Sequence, residues 1–428
     1  MSALSGTSQI PAIDRPPARW AFAQFVCIMA ANFVLRAVRE EMGVAGGIDN
    51  LPWLFTATFT GTLLLVPLHG WAASRWGRRT LARVVFFGLA ASLVVLMLAH
   101  RGALLGTDVV LARAVFVWAS VINMFAVASF WAAVVDIWRG ASAPRVYAFV
   151  AAGGTIGALL GPSCALVLAP QLGATGLLGV AATFWALAGA CAGGLERSLR
   201  DRPDVPNAAV AIGGSMFSGL RAIVREPALR GLAIYVLAFT ATSTAIYLLQ
   251  GRIVVSAIQD SAQRTALFAK LDLAVNVLAL TLQLGVSGRL LATARLSATL
   301  GLLPLVTLVV LIALAVTPIL PVLVVAQCLR RACEHAVAKP ARELLYGGQS
   351  RSGKYQGQNA VDTVIYRGGD AASAWLVQAA VVLVGTSGVA VIAALGAGAW
   401  LRFARHLADT RSRPADAAAA PPESAPRG

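Results

Sequence analysis

The sequence predicts an all-α membrane protein of about 12 transmembrane helices, built as two six-helix halves. Three observations lead there. Of 428 residues, 58% are hydrophobic and only 13% charged, against roughly 25% charged in soluble domains, and the mean hydropathy is +0.74. The apolar residues fall into runs close to the roughly 20 residues that a helix needs to cross a bilayer. A polar stretch, Glu196 to Pro227, with Pro203 and Pro206, divides those runs six and six.

The first six runs lie near Trp20 to Val38, Leu51 to Ala73, Leu81 to Ala99, Val109 to Val135, Val146 to Leu168 and Gly173 to Gly194. The second six lie near Leu229 to Leu249, Thr265 to Val286, Leu296 to Val316, Leu320 to Val337, Val361 to Val384 and Val389 to Phe403. The implied organisation is a cytoplasmic N-terminal tail (1–19), a first half (20–195), a cytoplasmic linker (196–228), a second half (229–407) and a disordered C-terminal tail (408–428) rich in Ala, Pro, Ser and Arg. Residues 1–19 lack the apolar core and small-residue site of a cleavable signal, so the first span is expected to be retained. The 40 glycines and 19 prolines suit membrane helices, where neighbouring helices satisfy freed backbone groups.

A net charge of +16 raises the question of nucleic acid. The basic residues instead sit between apolar runs and show no aromatic interleaving, so no nucleic-acid partner is expected. Arg75, Arg78, Arg79, Arg83, Arg139, Arg145, the linker arginines, Arg289, Arg295, Lys339, Arg342, Arg351, Lys354, Arg402 and Arg405 fall on one side, and Arg101, Arg252 and Arg264 on the other. That asymmetry places both termini in the cytoplasm. The five cysteines, Cys27, Cys164, Cys191, Cys328 and Cys333, fall in apolar runs and read as small packing residues. No metal spacing, glycine-flanked serine or phosphate-binding glycine loop is present, so neither an enzyme nor a cofactor is expected. A nucleotide-driven pump would need a soluble domain for which no segment is long enough.

Ionisable residues inside the spans carry the functional reading, because each costs several kcal/mol at mid-bilayer. Asn32, Arg36, Arg39 and Glu40 share a face of the first span, and Arg113, Ser120 and Asn123 play the same part on the fourth. The seventh offers Thr240, Ser243, Thr244 and Tyr247; the tenth offers Gln327, Arg330, Arg331, Glu334 and His335. Lys270, Asp272, Asn276 and Gln283 lie on the eighth, and Asp362, Tyr366, Arg367 and Asp370 on the eleventh. Seven basic residues (Arg36, Arg39, Arg113, Lys270, Arg330, Arg331, Arg367) face five acidic ones (Glu40, Asp272, Glu334, Asp362, Asp370), which favours an anionic solute. The plainer readings are interfacial snorkelling for Arg36, Arg39 and Lys339, and pairs four residues apart for Arg330 with Glu334, Arg331 with His335, and Arg36 with Glu40.

The stretch Gly70 to Arg79 resembles the loop signature after the second helix of the major facilitator superfamily, with Ser74 in place of its aspartate. Gly153, Gly154, Gly157, Gly161 and Pro162 in the fifth span resemble that superfamily's antiporter signature and equally suit close helix packing. The resemblance implies a cavity lined by the first, fourth, seventh and tenth spans.

Leu35 to Glu40, Phe130 with Trp131, Ala341 to Tyr346, Lys354 to Asp362 and Tyr366 to Asp370 resemble the ATP/ADP translocases, in their short bacterial branch. That resemblance implies nucleotide exchange across a bacterial inner membrane by alternating access, with Arg39 where the exchangers keep a lysine needed for transport. Ala119 or Ser120 stands where an acidic residue is expected, and Asp370 where a lysine is.

The expected function is therefore secondary transport of an anionic organic solute, with nucleotide exchange the finer reading and proton-coupled export of drugs or metabolites the alternative. Substrate contacts are expected from Arg36, Arg39, Arg113, Asn123, Tyr247, Arg330, Arg331 and Arg367. Coupling or gating is expected from Glu40, Asp272, Glu334, His335, Asp362 and Asp370. The expected partners are the lipid bilayer, the solute and a proton, and the expected oligomeric state is a monomer.

Overall fold

The structure is a computed structural model and describes residues 10–101, 108–138, 142–200, 216–293, 295–346, 357–358 and 360–419. Residues 1–9, Arg139, 201–215 of the linker, 347–356 with Arg351 and Lys354, residue 359 and 420–428 lie outside the described residues.

The first four helices are α1 (Arg15–Ala45), α2 (Leu51–Arg75), α3 (Arg78–Arg101) and α4 (Asp108–Ile137). The next helical stretch, Ala143–Ser198, is broken at Gly173 into α5 (143–172) and α6 (174–198). Helix α7 is Pro227–Ala257, α8 is Ser261–Leu282 and α9 is Leu296–Val316. Helix α10, Leu320–Cys333, continues through Glu334–Ala338 into Lys339–Tyr346. The last stretch, Tyr366–Ala419, is broken at Gly385 into α11 (366–384) and α12 (386–419).

Nine stretches among the described residues are long and apolar enough to cross a membrane. The two broken stretches each make two crossings and the shorter α10 makes another, which gives the twelve read from the sequence. The breaks are alike: Gly173 has φ 63° and ψ −179°, Gly385 has φ 71° and ψ 179°. Only glycine adopts that region without strain, and the breaks come at matching places, after the fifth and after the eleventh helix. Leu64, Leu98, Val309 and Leu383 are exposed, as expected of side chains that meet lipid.

Helix starts follow local chemistry. Proline is tolerated in a first turn, where its missing N–H would bond nothing, so α1 opens with Pro16 and Pro17 and begins before the Trp20 that hydropathy marks. Helix α12 carries on to Ala419, through an alanine-rich stretch that the sequence assigns to the tail; alanine has the highest helix propensity.

The described chain forms two compact units: residues 1–214 with 250–276, and residues 215–249 with 277–428. In the first, α1 lies along α5 at glycine distance. An ideal Cβ on Gly157 would stand 2.4 Å from the Val26 carbonyl oxygen, and one on Gly161 2.5 Å from that of Ala30. Phe130 stacks on Phe25 at 4.7 Å between ring centres, and Trp131 meets Phe25 edge-on at 5.4 Å. In the second unit, Tyr235, Phe239 and Trp400 pack at 5.1 and 6.0 Å within an apolar core shared by α7, α9 and α12.

The basic residues of the α2–α3 connection have a partner the sequence did not reveal. Arg78 Nε donates to Glu196 Oε1 at 2.7 Å and its Nη2 to Oε2 at 3.3 Å, both side chains being buried. Arg79 adds a contact at 3.9 Å and a bond to the Glu196 carbonyl. With serine at position 74, this carboxylate at the end of α6 anchors the loop. Removing one partner of a buried ion pair strands the other, at a cost of about 3–5 kcal/mol. Glu196→Ala is expected to lower thermal stability in detergent by that order, while Arg197→Ala, whose exposed side chain bonds only the Gly193 carbonyl, leaves it within about 0.5 kcal/mol.

Candidate functional site

Polar side chains gather in each unit. In the first, they lie where α1 meets residues 250–276. Arg36 Nε stands 3.4 Å from Asp272 Oδ1, whose side chain is buried. Arg39 Nη2 bonds Glu40 Oε1, and the guanidinium lies 5.8 Å from the Phe116 ring centre. Glu41 is fully buried and takes both nitrogens of a fork from Arg264, Nε at 2.8 Å and Nη2 at 2.7 Å. The same guanidinium donates from Nη1 to the Ile258 and Gln259 carbonyls at 3.2 and 2.8 Å, just past α7. Beyond α1, Asp49 accepts from Arg252 at 2.9 Å. Paired guanidinium forks of this kind are the strong form of the ion pair, because both bonds are charge-assisted and geometrically matched.

Arg36 meets Asp272, not the Glu40 four residues on, and Glu40 is taken by its neighbour Arg39. Arg113 Nε donates at 3.1 Å to the Gly46 carbonyl just past the end of α1, so its position is that of a helix cap. Ser120 is buried and bonds the Phe116 carbonyl; Ala119 is buried beside it, and Asn123 is exposed. Asn32 is buried, and its amide oxygen has no hydrogen-bond partner among the described residues. Asn276 donates to the Ala158 carbonyl at 2.7 Å, while Lys270 is exposed.

In the second unit, Arg330 of α10 is buried. Its Nη1 donates to Ser243 Oγ of α7 at 3.0 Å and its Nη2 to Gln327 Oε1 at 3.3 Å. Both partners are neutral, and Nε is buried with no hydrogen-bond partner among the described residues. Glu334 is four residues on, yet no carboxylate among the described residues comes within ion-pair distance of Arg330. The helix is regular between the two, the Glu334 N–H bonding the Arg330 carbonyl, and past that bond α10 passes into a π-helical turn, Glu334–Ala338. Two more π turns occur among the described residues, Gln283–Ser287 after α8 and Val361–Ile365 before α11. Gln283 donates to the His335 carbonyl at 3.3 Å, joining two of them. Such turns are frequent at functional sites.

Around Arg330, Asp370 accepts from Thr244 at 3.4 Å, and Tyr366 lies 5.9 Å from Phe239. An ideal Cβ on Gly369 would fall 2.5 Å from Thr240 Oγ1, so α7 and α11 approach closely there. Arg367 lies 5.9 Å from the Tyr366 ring centre. Asp362 stands 3.7 Å from Arg342, and Glu343 accepts from Gln358 at 3.1 and 3.0 Å. Tyr247, Arg331, Glu334 and His335 are half-buried.

The structure thus pairs Arg36 with Asp272 and Arg39 with Glu40 in the first unit, and in the second it sets Arg330 against Ser243 and Gln327, and Asp370 against Thr244. Sequence reasoning missed Glu41, Asp49 and Glu196, and it read Arg252 and Arg264 as outer-loop charges. Glu41 had one available signal: a second carboxylate directly after Glu40, inside an apolar run. No group of three or more His, Cys, Asp or Glu side chains suited to a metal occurs among the described residues.

Several solved structures share this fold. The nucleoside transporter NupG matches with a TM-score of 0.67 at 12% identity, covering 91% of this chain and 99% of that one. A POT family transporter, solved with a thioalcohol-conjugated peptide, matches at 0.66 and 11%, covering 94% and 99%. The human organic anion transporter MFSD10 matches at 0.58 and 16%, covering 92% and 100%. At such identities the likeness is one of fold. No curated protein matches the sequence. The sequence profile described as Major Facilitator Superfamily matches residues 20–330, well over half the chain, and with the twelve crossings and the polar residues carried inside them, the chain belongs to the Major Facilitator Superfamily of membrane transporters.

Proposed function

We propose that this transporter moves an anionic organic solute by alternating access, driven by a gradient or a counter-solute, and that the solute is a nucleotide of the ATP/ADP type taken in exchange. The observation that carries the anion is Arg330. A guanidinium stays protonated in proteins, and burying a charge with no counter-charge in contact is costly. Arg330 is nonetheless buried against a serine and a glutamine. An incoming carboxylate or phosphate supplies a counter-charge in direct contact and a partner for Nε, in the planar geometry that guanidinium offers such groups. The resemblance of Leu35 to Glu40 and of Tyr366 to Asp370 to the nucleotide exchangers supports the finer reading. The one-sided distribution of arginines supports cytoplasmic termini, and the resemblance to the short bacterial exchangers supports a bacterial inner-membrane location.

A second reading, proton-coupled export, is favoured by Asp370, a carboxylate carried inside a span where it accepts from Thr244. The test is uptake of labelled ATP or ADP into liposomes preloaded with ATP, ADP or other organic anions, with and without a pH gradient. Uptake that requires internal nucleotide is the expected result. Uptake that answers only to the pH gradient selects export, and the absence of anion uptake under every condition rejects the proposal. Arg39→Ala is expected to abolish uptake and leave membrane insertion intact; unchanged uptake removes Arg39 from the site.

A further inference from the structure

A proline inside a helix frees the carbonyl four residues earlier, because it has no N–H to offer. In hydrocarbon that carbonyl must find another donor. Pro162 in α5 frees Ala158, and Pro304 in α9 frees Leu300. Side chains from other helices serve both. The Tyr235 hydroxyl of α7 donates to the Leu300 carbonyl at 3.2 Å, and Asn276 Nδ2 of α8 donates to that of Ala158 at 2.7 Å.

The two caps differ in what they join. Tyr235 and Leu300 both belong to the second half of the sequence. Asn276 belongs to the second half, whereas α5 belongs to the first. Asn276 is also the last residue of the segment 250–276, which packs within the first unit although the chain on either side of it belongs to the second. The same segment carries three ion pairs to α1 and the residues just after it: Asp272 with Arg36, Arg264 with Glu41 and Arg252 with Asp49. Their polarity is mixed. The segment supplies the anion in the first pair and the cation in the other two, so a slip along α1 brings like charges together, which specifies one seating.

We propose that Asn276 is a positioning residue of the transport cycle: its bond to the carbonyl freed by Pro162 keys residues 250–276 onto α5, and this bond, together with Glu41–Arg264, releases when solute crosses. The inference rests on the alternating-access reading above, which requires second-half helices to part from first-half helices on one side of the membrane at a time. An asparagine cap suits that task. It is neutral, so its own release strands no charge, and water entering the opened path can replace it as donor to Ala158 and solvate Glu41 and Arg264 as they part.

The test uses a cysteine-free protein carrying Ile48→Cys and Gly251→Cys. An ideal Cβ on Gly251 stands 3.5 Å from the Ile48 side chain, so oxidation by a copper–phenanthroline complex reports whether the segment is seated. Asn276→Ala is expected to slow cross-linking about fivefold, the equilibrium effect of one net hydrogen bond. Pro162→Ala, which returns a helical N–H to Ala158, is expected to slow it similarly, and the double variant no further than either alone. Cross-linked protein in liposomes is expected to lose solute exchange and regain it on reduction. Additive slowing, unchanged cross-linking or full exchange by cross-linked protein overturns the inference. Cross-linking needs no solute, so if the reduced protein takes up none of the anions tried, the proposed function falls while the cross-linking cycle still decides the keying.

Discussion

Arg330→Gln is expected to reduce anion uptake by about two orders of magnitude and, in the same protein, to raise the thermal stability of the empty transporter. The two effects have one cause. A charge-assisted bond to a ligand contributes about 1.5–3 kcal/mol, and its loss appears as a higher KM or a lower rate. In the empty protein the same guanidinium sits buried against Ser243 and Gln327 with Nε unsatisfied, and replacing a poorly compensated buried charge by a neutral side chain is neutral or stabilising. Arg330→Lys keeps the charge but cannot reach both oxygens in the plane of a fork, so it is expected to retain about a tenth of the uptake. Bound anion is expected to raise the melting temperature of the unsubstituted protein and to leave that of Arg330→Gln unmoved, since ligand stabilisation follows binding to the folded state. A purely structural arginine gives the opposite pattern: Arg330→Gln melts lower and transports normally.

Hydropathy made the fold legible because it acts locally. The run from Leu296 to Val316 coincides with α9, and the end of the fifth run before Gly173 coincides with a backbone break that only glycine adopts without strain. Helix faces were legible for the same reason: Asn32, Arg36 and Arg39 share a face of α1 by periodicity alone. Partners across helices were not. Nothing near Arg264 in sequence points to Glu41, more than two hundred residues away, and although Arg330 and Glu334 lie four apart on a regular turn, the Arg330 guanidinium turns to Ser243 of α7 and to Gln327. Asn276 was visible as a polar residue in the eighth span, but its role depends on Pro162, whose freed carbonyl becomes a target only when α8 lies alongside. The basic signature around Arg78 was read correctly as a cationic loop, while its anchor, Glu196, was hidden at the start of the linker. Periodicity assigns a residue to a face of its own helix; which atom it meets depends on packing between helices.

Gly157→Leu is expected to prevent stable folding, and Gly157→Ala to lower thermal stability by about 3 kcal/mol, at the upper end of the usual cost of overpacking. The ideal Cβ at Gly157 falls 2.4 Å from the Val26 carbonyl oxygen, 2.8 Å from Met29 Cβ and 3.0 Å from the Ala30 amide nitrogen. Two of these three are backbone atoms, so no rotamer change relieves the contact and α1 must move away from α5. Gly161, one turn on, meets the Ala30 carbonyl oxygen at 2.5 Å, and Gly153, one turn back, that of Phe22 at 2.7 Å, so the displacement spreads along the helix pair. In a membrane, helices gain no hydrophobic energy by associating and depend on close packing, which makes this contact costly to lose. Gly193 in α6 is the control, because nothing stands within 4 Å of its ideal Cβ, and Gly193→Ala is expected to change stability by less than about 0.5 kcal/mol. The comparison also separates the two readings of the glycine stripe. If its glycines served exchange and not packing, Gly157→Ala would slow exchange without moving the melting temperature in detergent.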